Sequence, residues 1–386
     1  DHSSFDDILR LHYGLIMADP PWSFALRSAK GQAKSPNVHY RCMSADWIKS
    51  LPVGHLAAPD GLLFLWATNP LLPLAFEVTD AWRARRSTSF RLTLNQLSTF
   101  LLSRNIKRLL GEDLAILRGI ASEYLGRAES GRSHPMKCIC ELDGGEHANV
   151  YVKYQGFHEE LVFDHLVGEL VANQFALDLG LPAATPCLVE VSEDFLLTLP
   201  SDDNGQAIRE AFNNTDGIAF GSIAFPTIRR WTAGNLIHSG QRQQATQLYL
   251  FDTIVENSDR GIGNSNLLTL GHDFKVIDFG HSFQRCHGAA DDDCGATPWQ
   301  SGGIQNHYPG NIQHVLFDGL KKHVTEQMIE HFTKALEDLS DDVIQDYVTI
   351  VPAEWGQDCA CKIVGYLLDA RSNARSFHTR AKEVLI

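Results

Sequence analysis

The sequence predicts an α+β chain in which a truncated α/β fragment precedes a larger domain with a β-rich start. Three observations lead there. First, residues 14–18, GLIMA, and 61–69, GLLFLWATN, are apolar runs of strand length. Around them lie a polar Gly/Ser/Lys-rich loop at 27–37, a short helical stretch at SADWIKSL and a helical PLAFEVTDAWR. That order, strand–loop–helix–strand–helix, opens an α/β arrangement. Second, the texture changes after WRARRSTS. Leu92, Leu94, Leu97, Phe100, Leu101, Leu109 and Leu110 recur at helical spacing among basic residues, and the segment closes in GRAESGRSHP, which reads as a linker. Third, a fresh β-rich stretch begins near residue 136 with MKCICEL and GGEHANVYVKY, and a long helix over about 159–179 follows, closed by Gly180 and Pro182. The expected division is a fragment at 1–85, a helical basic connector at 86–132 and a main domain at 133–386.

Composition narrows the classes. A chain of 386 residues, 44% hydrophobic, can bury two cores, and no apolar run reaches the roughly 18–20 residues that span a bilayer. The opening DHSSFDDILR has neither a basic start nor an apolar core, so a cytoplasmic chain without a signal peptide is expected. Eight cysteines include two C-x-C pairs, Cys138/Cys140 and Cys359/Cys361, but no C-x-x-C spacing, which fits reduced thiols better than zinc or a disulfide framework. The net charge of −14 is uneven. Residues 1–85 are neutral, 86–132 carry eight basic and four acidic side chains, and 133–386 carry 17 basic and 35 acidic ones. An acidic main domain argues against a broad nucleic-acid surface there.

The stretch DRGIGNSNLL, 259–268, followed by VIDFG, 276–280, carries the most chemistry. Transfer of a phosphoryl group needs oxygen ligands for a metal ion, a cation on the phosphates and a carboxylate that positions the acceptor hydroxyl. The apolar helix LYLFDTIVEN delivers Asp259 at its end, Asn264 follows five residues later, and NLLTL–GHD–FKVIDF reads as a hairpin ending at Asp278. The three side chains then lie at one end of a small sheet, where they could share Mg²⁺. Upstream, the strand ANVYVKY offers one lysine, Lys153. In the next helix Val162, Leu166, Leu170, Asn173 and Leu177 form a stripe that includes Glu169, while Asp164 points away. A buried acid needs a partner, and Lys153 is the natural one.

These stretches, with HLVGELVANQFALDLGLPAATP, FGSIAFP and FDTIVENSDRGIGNSNLL…KVIDFGHSF, resemble the HipA-like kinase family over residues 136–386. The resemblance implies a two-lobed protein-kinase-like fold and transfer of phosphate from ATP with Mg²⁺. Lys153 would contact the ATP phosphates, Glu169 would hold Lys153, Asp259 would be the catalytic carboxylate, and Asn264 and Asp278 would hold the metal. It also implies a Ser/Thr-type protein acceptor, possible autophosphorylation, and a bacterial toxin–antitoxin or phage-related setting with an antitoxin partner. Two departures stand out: Gly261 occupies the place of a histidine that often follows Asp-Arg, and the turn at 142–149 matches a Gly-rich loop weakly. A scaffold that binds nucleotide without turnover is the alternative within the same fold.

The first fragment carries its own signature. Asp19, Pro20, Pro21 and Trp22 form D-P-P-W after a buried strand, followed by H-Y-x-x-M and the strand LWATN. An acid and a proline carbonyl can accept bonds from adenine's exocyclic amine while a Trp stacks on the extruded base. Residues 13–82 are similar to the start of the MT-A family of adenine-N6 methyltransferases, which implies a Rossmann-like fold and S-adenosylmethionine. Those enzymes continue through further strands that complete the cofactor pocket, so a truncated fragment fused to a kinase is expected. A DNA adenine methyltransferase is the alternative.

Overall fold

The computed structural model describes 13–18, 42–51, 53, 57–65, 74–75, 77–78, 81–82 and 91–92 of the N-terminal part. Further on it describes 116–128, 133–143, 145–226, 229–271, 273–288, 295–306 and 313–386. The chain divides into two compact units, Asp1–Ile106 and Lys107–Ile386.

In the first unit β1 (Tyr13–Ala18), β2 (Ala57–Leu65) and β3 (Arg91–Leu92) make a three-stranded parallel sheet in the order β1-β2-β3. Ser44 caps helix α1 (Ala45–Ser50) by accepting from the Trp47 amide, the usual role of a short hydroxyl before a first turn. Ile48, Val53, Ala75, Val78 and Trp82 form the small core, and Trp82 Nε1 donates to the Ile48 carbonyl at 2.9 Å. The parallel sheet agrees with the α/β expectation. Residues 91–92, expected within a helical connector, instead extend the sheet by one short strand.

The second unit opens with a closed five-stranded barrel in the order β4-β5-β6-β8-β7. Its strands are β4 (Leu117–Arg127), β5 (Met136–Leu142), β6 (His147–Lys153), β7 (Pro186–Val191) and β8 (Gly217–Ile223). Residues 117–127 thus belong to the barrel and are not part of a helix. Leu117, Gly119 and Ala121 are buried and alternate with exposed Arg118 and Ile120, the period of a half-buried strand. Their apolar spacing also fits a helix, and the parallel pairing of β4 with β7, distant in sequence, decides between the two. GRAESGRSHP, from residue 128 on, is accordingly the β4–β5 connection, while 142–149 spans the tight β5–β6 turn and the start of β6, with the Gly145 amide donating to the Leu142 carbonyl.

Helix α2 (Phe163–Asp178) follows β6, and two short helices, α3 (Glu193–Thr198) and α4 (Asp203–Ala211), lie between β7 and β8. Ser192 and Asp202 cap those short helices through the Phe195 and Gly205 amides. Beyond the barrel, β9 (Arg229–Arg230), β10 (Leu267–Leu270) and β11 (Asp273–Val276) form an antiparallel sheet in the order β11-β10-β9. Helix α5 (Arg242–Ile254) leads into the loop before β10. Helices α6 (Glu326–Asp338), α7 (Asp358–Ser372) and α8 (Ala374–Leu385) complete the helical part. One apolar core runs from Leu166, Leu170 and Phe175 of α2 through Leu250 and Phe251 of α5 to Ile363, Leu367 and Phe377. No described helix is long and apolar enough to cross a membrane. All described cysteines are free, and those of the barrel (Cys138, Cys140 and Cys187) are buried.

Candidate active site

Lys153 is the last residue of β6, and its Nζ is held from two directions. It donates to both carboxylate oxygens of Glu169 on α2 at 2.8 Å and to Asp278 Oδ1, just past β11, at 2.9 Å. Glu169 is only 2% exposed, whereas the Asp278 side chain keeps 30% of its surface open. Two carboxylates therefore share one ammonium. Burial works against the Lys153 charge, but Asp278 and then Glu169 outweigh it and raise the lysine pKa. Burial also acts against the Asp278 charge, and Lys153 overcomes it, lowering that carboxyl. The excess negative charge falls on Glu169, the more buried acid, which burial and neighbouring Asp278 push up to about 7 against the pull of Lys153.

Asp259 stands on the loop after α5. Its Oδ2 accepts from Asn264 Nδ2 at 2.7 Å and Asn266 Nδ2 at 3.0 Å, which leaves Oδ1 outside that pairing. Burial raises its pKa, and Asp278 adds to the rise, while His281 and the two amides oppose it. Asp278 itself adopts a left-handed backbone, φ +61°, a conformation that Asp tolerates better than most residues and one often found at functional turns. Gly280 closes the wall: a Cβ there would lie 3.3 Å from Glu169 Oε2 and 3.6 Å from Asp278 Oδ1.

These groups line one cleft of about 690 Å³, together with Ser133, His134, His165, Arg230 and His281. The sequence-expected residues Lys153, Glu169, Asp259, Asn264 and Asp278 are all on its wall. The turn at 142–149 is not. It lies at the opposite end of β6 from Lys153, roughly 20 Å of strand away at about 3.3 Å per residue. The β4–β5 connection, taken from the sequence as a linker, provides Ser133 and His134 instead. Asp19, Pro20, Pro21 and Trp22 lie outside the described residues.

A second buried group supports the loop and was not found in the sequence. Asp252 on α5 accepts from Arg260 Nε at 2.6 Å, from His314 Nε2 at 3.0 Å and from Asn257 Nδ2 at 3.1 Å. The Leu316 amide donates to His314 Nδ1, which assigns the proton on that ring to Nε2, facing Asp252. Burial opposes the Asp252 charge, yet Arg260 and His314 hold its pKa low. Arg260 also donates through Nη1 to the Asn266 carbonyl at 2.7 Å and to the Ile277 carbonyl at 3.3 Å, and its Cζ lies 5.1 Å from the Phe279 ring centre. The residue after Asp259 thus ties the loop to the segment bearing Asp278. Asp252 could have been found by the argument that found Glu169, since it is an acid within an apolar helix and requires a partner.

Asp259, Asn264 and Asp278 present carboxylate and amide oxygens, the donor types that suit a hard divalent cation. Among the described residues no three His, Cys, Asp or Glu side chains gather into a metal site. Such a cation would be completed by phosphate oxygens, which is how Mg²⁺ is commonly held.

The family model described as HipA-like kinase matches residues 121–377, two-thirds of the chain. The chain belongs to the HipA-like kinase family. A second model, MT-A70, matches residues 13–107. The N-terminal stretch is 32% identical over 74 residues to an N(6)-adenosine-methyltransferase MT-A70-like protein of Arabidopsis thaliana. It is 34% identical over 74 residues to a probable N(6)-adenosine-methyltransferase MT-A70-like protein of Oryza sativa subsp. japonica. In each case the match covers 19% of this chain and 9% of the relative. Among solved structures, the Helicobacter pylori proinflammatory kinase CtkA matches with 14% identity and a TM-score of 0.40, over 67% of this chain and 95% of that one. The Golgi casein kinase matches with 11% identity and a TM-score of 0.37, over 69% and 75% respectively. This member of the HipA-like kinase family is α+β, with a barrel lobe and a helical lobe that both contribute side chains to the cleft, and a methyltransferase-like fragment precedes it in the sequence.

Proposed function

We propose that the domain transfers the γ-phosphoryl group of ATP to a Ser or Thr hydroxyl of a protein, its own chain included, with Mg²⁺ in the cleft. The observation that carries this reading is the Lys153 ammonium held between Glu169 and Asp278, with Asp259 on the same cleft wall. Glu169 sets the direction of Lys153, which would meet the phosphate oxygens. Asp259 would receive the proton of the acceptor hydroxyl as its oxygen forms the new P–O bond and the bond to the leaving diphosphate breaks. Asn264 and Asp278 would hold the cation, which would neutralise charge on the phosphates. Arg260 and Asp252 act on none of the reacting atoms and serve to fix the Asp259 loop.

Ser133 and His134, just before β5, line the cleft and are the polar groups on that edge suited to meet the phosphates. The elevated pKa of Asp259 suits a proton acceptor better than an ordinary surface carboxylate.

The test is Mg²⁺-dependent transfer from γ-labelled ATP, wild type against Asp259→Ala. Label on the protein or on an added extract only with the wild type is the expected result. Nucleotide binding without transfer in either protein would replace this reading with a nucleotide-binding scaffold.

A further inference from the structure

Strand β9 consists of Arg229 and Arg230, both exposed. It pairs with β10 so that Arg230 is opposite Leu268, and β10 pairs with β11 so that Leu268 is opposite Lys275. Directly opposite residues share a sheet face, so Arg230, Leu268 and Lys275 form a row across one face. The row begins at the site. Arg230 Nη2 donates to Asn264 Oδ1 at 3.4 Å and lines the cleft with Asp259. Within the Asp259–Asn264 loop, Ile262 is 55% exposed. These cations sit in a region, 133–386, where acidic side chains outnumber basic ones two to one. Neither arginine forms an ion pair among the described residues.

We infer that this row docks the acceptor, and that the acceptor is a polypeptide segment with acidic side chains flanking its hydroxyl. The inference rests on the phosphotransfer reading above and names its substrate class. A guanidinium fork matches a carboxylate with two parallel donors. An exposed apolar side chain beside Asp259 offers a contact that a polypeptide can use and a small anion cannot. A domain in which acidic side chains outnumber basic ones disfavours an acidic segment over much of its surface, and Arg230 at the cleft gives such a segment a place to land.

The experiment uses the full chain and two fluorescent peptides with a central serine, one flanked by Asp and Glu, the other by Lys and Arg. Binding is read by anisotropy and phosphorylation by label from ATP, with ATP hydrolysis measured alongside. Wild type is expected to prefer the acidic peptide about fivefold, the scale of an exposed ion pair, and to lose the preference as salt rises. Arg230→Glu/Lys275→Glu, which reverses both cations of the row, is expected to invert the preference. Arg230→Gln/Lys275→Gln, the milder change, is expected to abolish it. Equal use of both peptides by a wild type that turns over ATP overturns the inference and leaves the kinase standing. A changed KM for ATP in the Gln variant, with peptide preference intact, also overturns it by assigning Arg230 and Lys275 to the nucleotide. Absence of ATP turnover with the binding preference intact overturns the phosphotransfer reading, and the acceptor role with it.

Discussion

Lys153 Nζ lies 2.8 Å from both carboxylate oxygens of Glu169, a residue sixteen positions away that α2 brings against the end of β6. The two-point grip fixes the ammonium direction, and a glutamine can offer only one uncharged acceptor. Glu169→Gln is expected to lower kcat/KM for ATP by about 10²-fold, the scale of loss when a positioning contact slips by about 1 Å. Its fold should persist, because Asp278 still neutralises Lys153. Lys153→Ala removes the shared cation from two carboxylates and is expected to cost about 3–5 kcal/mol of stability as well as activity. Urea unfolding beside an ATP titration separates the two effects, and a Glu169→Gln enzyme with wild-type kinetics would remove Glu169 from the machinery.

The raised pKa of Asp259 sets the pH profile. A carboxyl raised by burial is still protonated at a pH where an ordinary aspartate has lost its proton. The acid limb of kcat/KM should therefore lie above the ordinary aspartate range, with activity gained as pH rises through it. His281 acts to lower this pKa, so His281→Gln is expected to move the limb to still higher pH. A pH profile of both proteins at peptide well below KM checks the direction, and a limb that moves down or stays fixed would exclude Asp259 as the controlling group.

Much of the site was legible because its residues obey local rules. The argument from a buried acid requiring a cation led from Glu169 to Lys153, and the structure brings these two side chains together, although the stripe behind the argument was imperfect. Residues 166–176 of α2 are buried on every side, Val162 is 47% exposed, and Asp164 accepts from the Gly288 amide at 2.6 Å. What sequence could not show was closure of the barrel. The β4–β7 pairing joins Leu117 to Cys187, and no local pattern records a contact over that separation. Without it 117–127 read as helix and the β4–β5 connection as a linker. Ser282, a hydroxyl on the loop after Asp278, is fully buried, and burial of that kind follows from tertiary packing alone.

Asp252 and Arg260 make a second buried pair, 2.6 Å apart, whose purpose differs from the first. Arg260 gathers carbonyls from both sides of the site, so its loss of a counter-ion should loosen the Asp259 loop. Asp252→Ala is expected to cost about 3–5 kcal/mol, the penalty of leaving a buried charge unpaired. Asp252→Asn, which retains acceptor geometry, should cost less and lower kcat with little change in KM for ATP, because Lys153 and Glu169 do not touch it. Guanidinium unfolding and steady-state kinetics test the split. A rise in KM with kcat unchanged would place Asp252 in nucleotide binding instead.

Two glycines separate chemistry from packing under the same substitution. A methyl at Gly280 would meet Glu169 Oε2 at 3.3 Å, Asp278 Oδ1 at 3.6 Å and Lys153 Nζ at 3.9 Å, all of them side-chain atoms of the site. A methyl at Gly221, inside the barrel, would lie 2.6 Å from both Cys187 Sγ and Val189 Cγ2. Neither glycine has a positive φ, so alanine meets no backbone obstacle and only space decides. Gly221→Ala is expected to cost about 1–3 kcal/mol by overpacking and to leave kcat per folded molecule unchanged. Gly280→Ala should cost little stability, since its neighbours need yield only a few tenths of an ångström. It should nevertheless lower kcat about tenfold, which requires only about 1.4 kcal/mol of lost transition-state stabilisation. Unfolding midpoints and active-site-normalised rates on the two variants measure this contrast. Equal effects on stability and rate in both would mean that Gly280 serves packing alone.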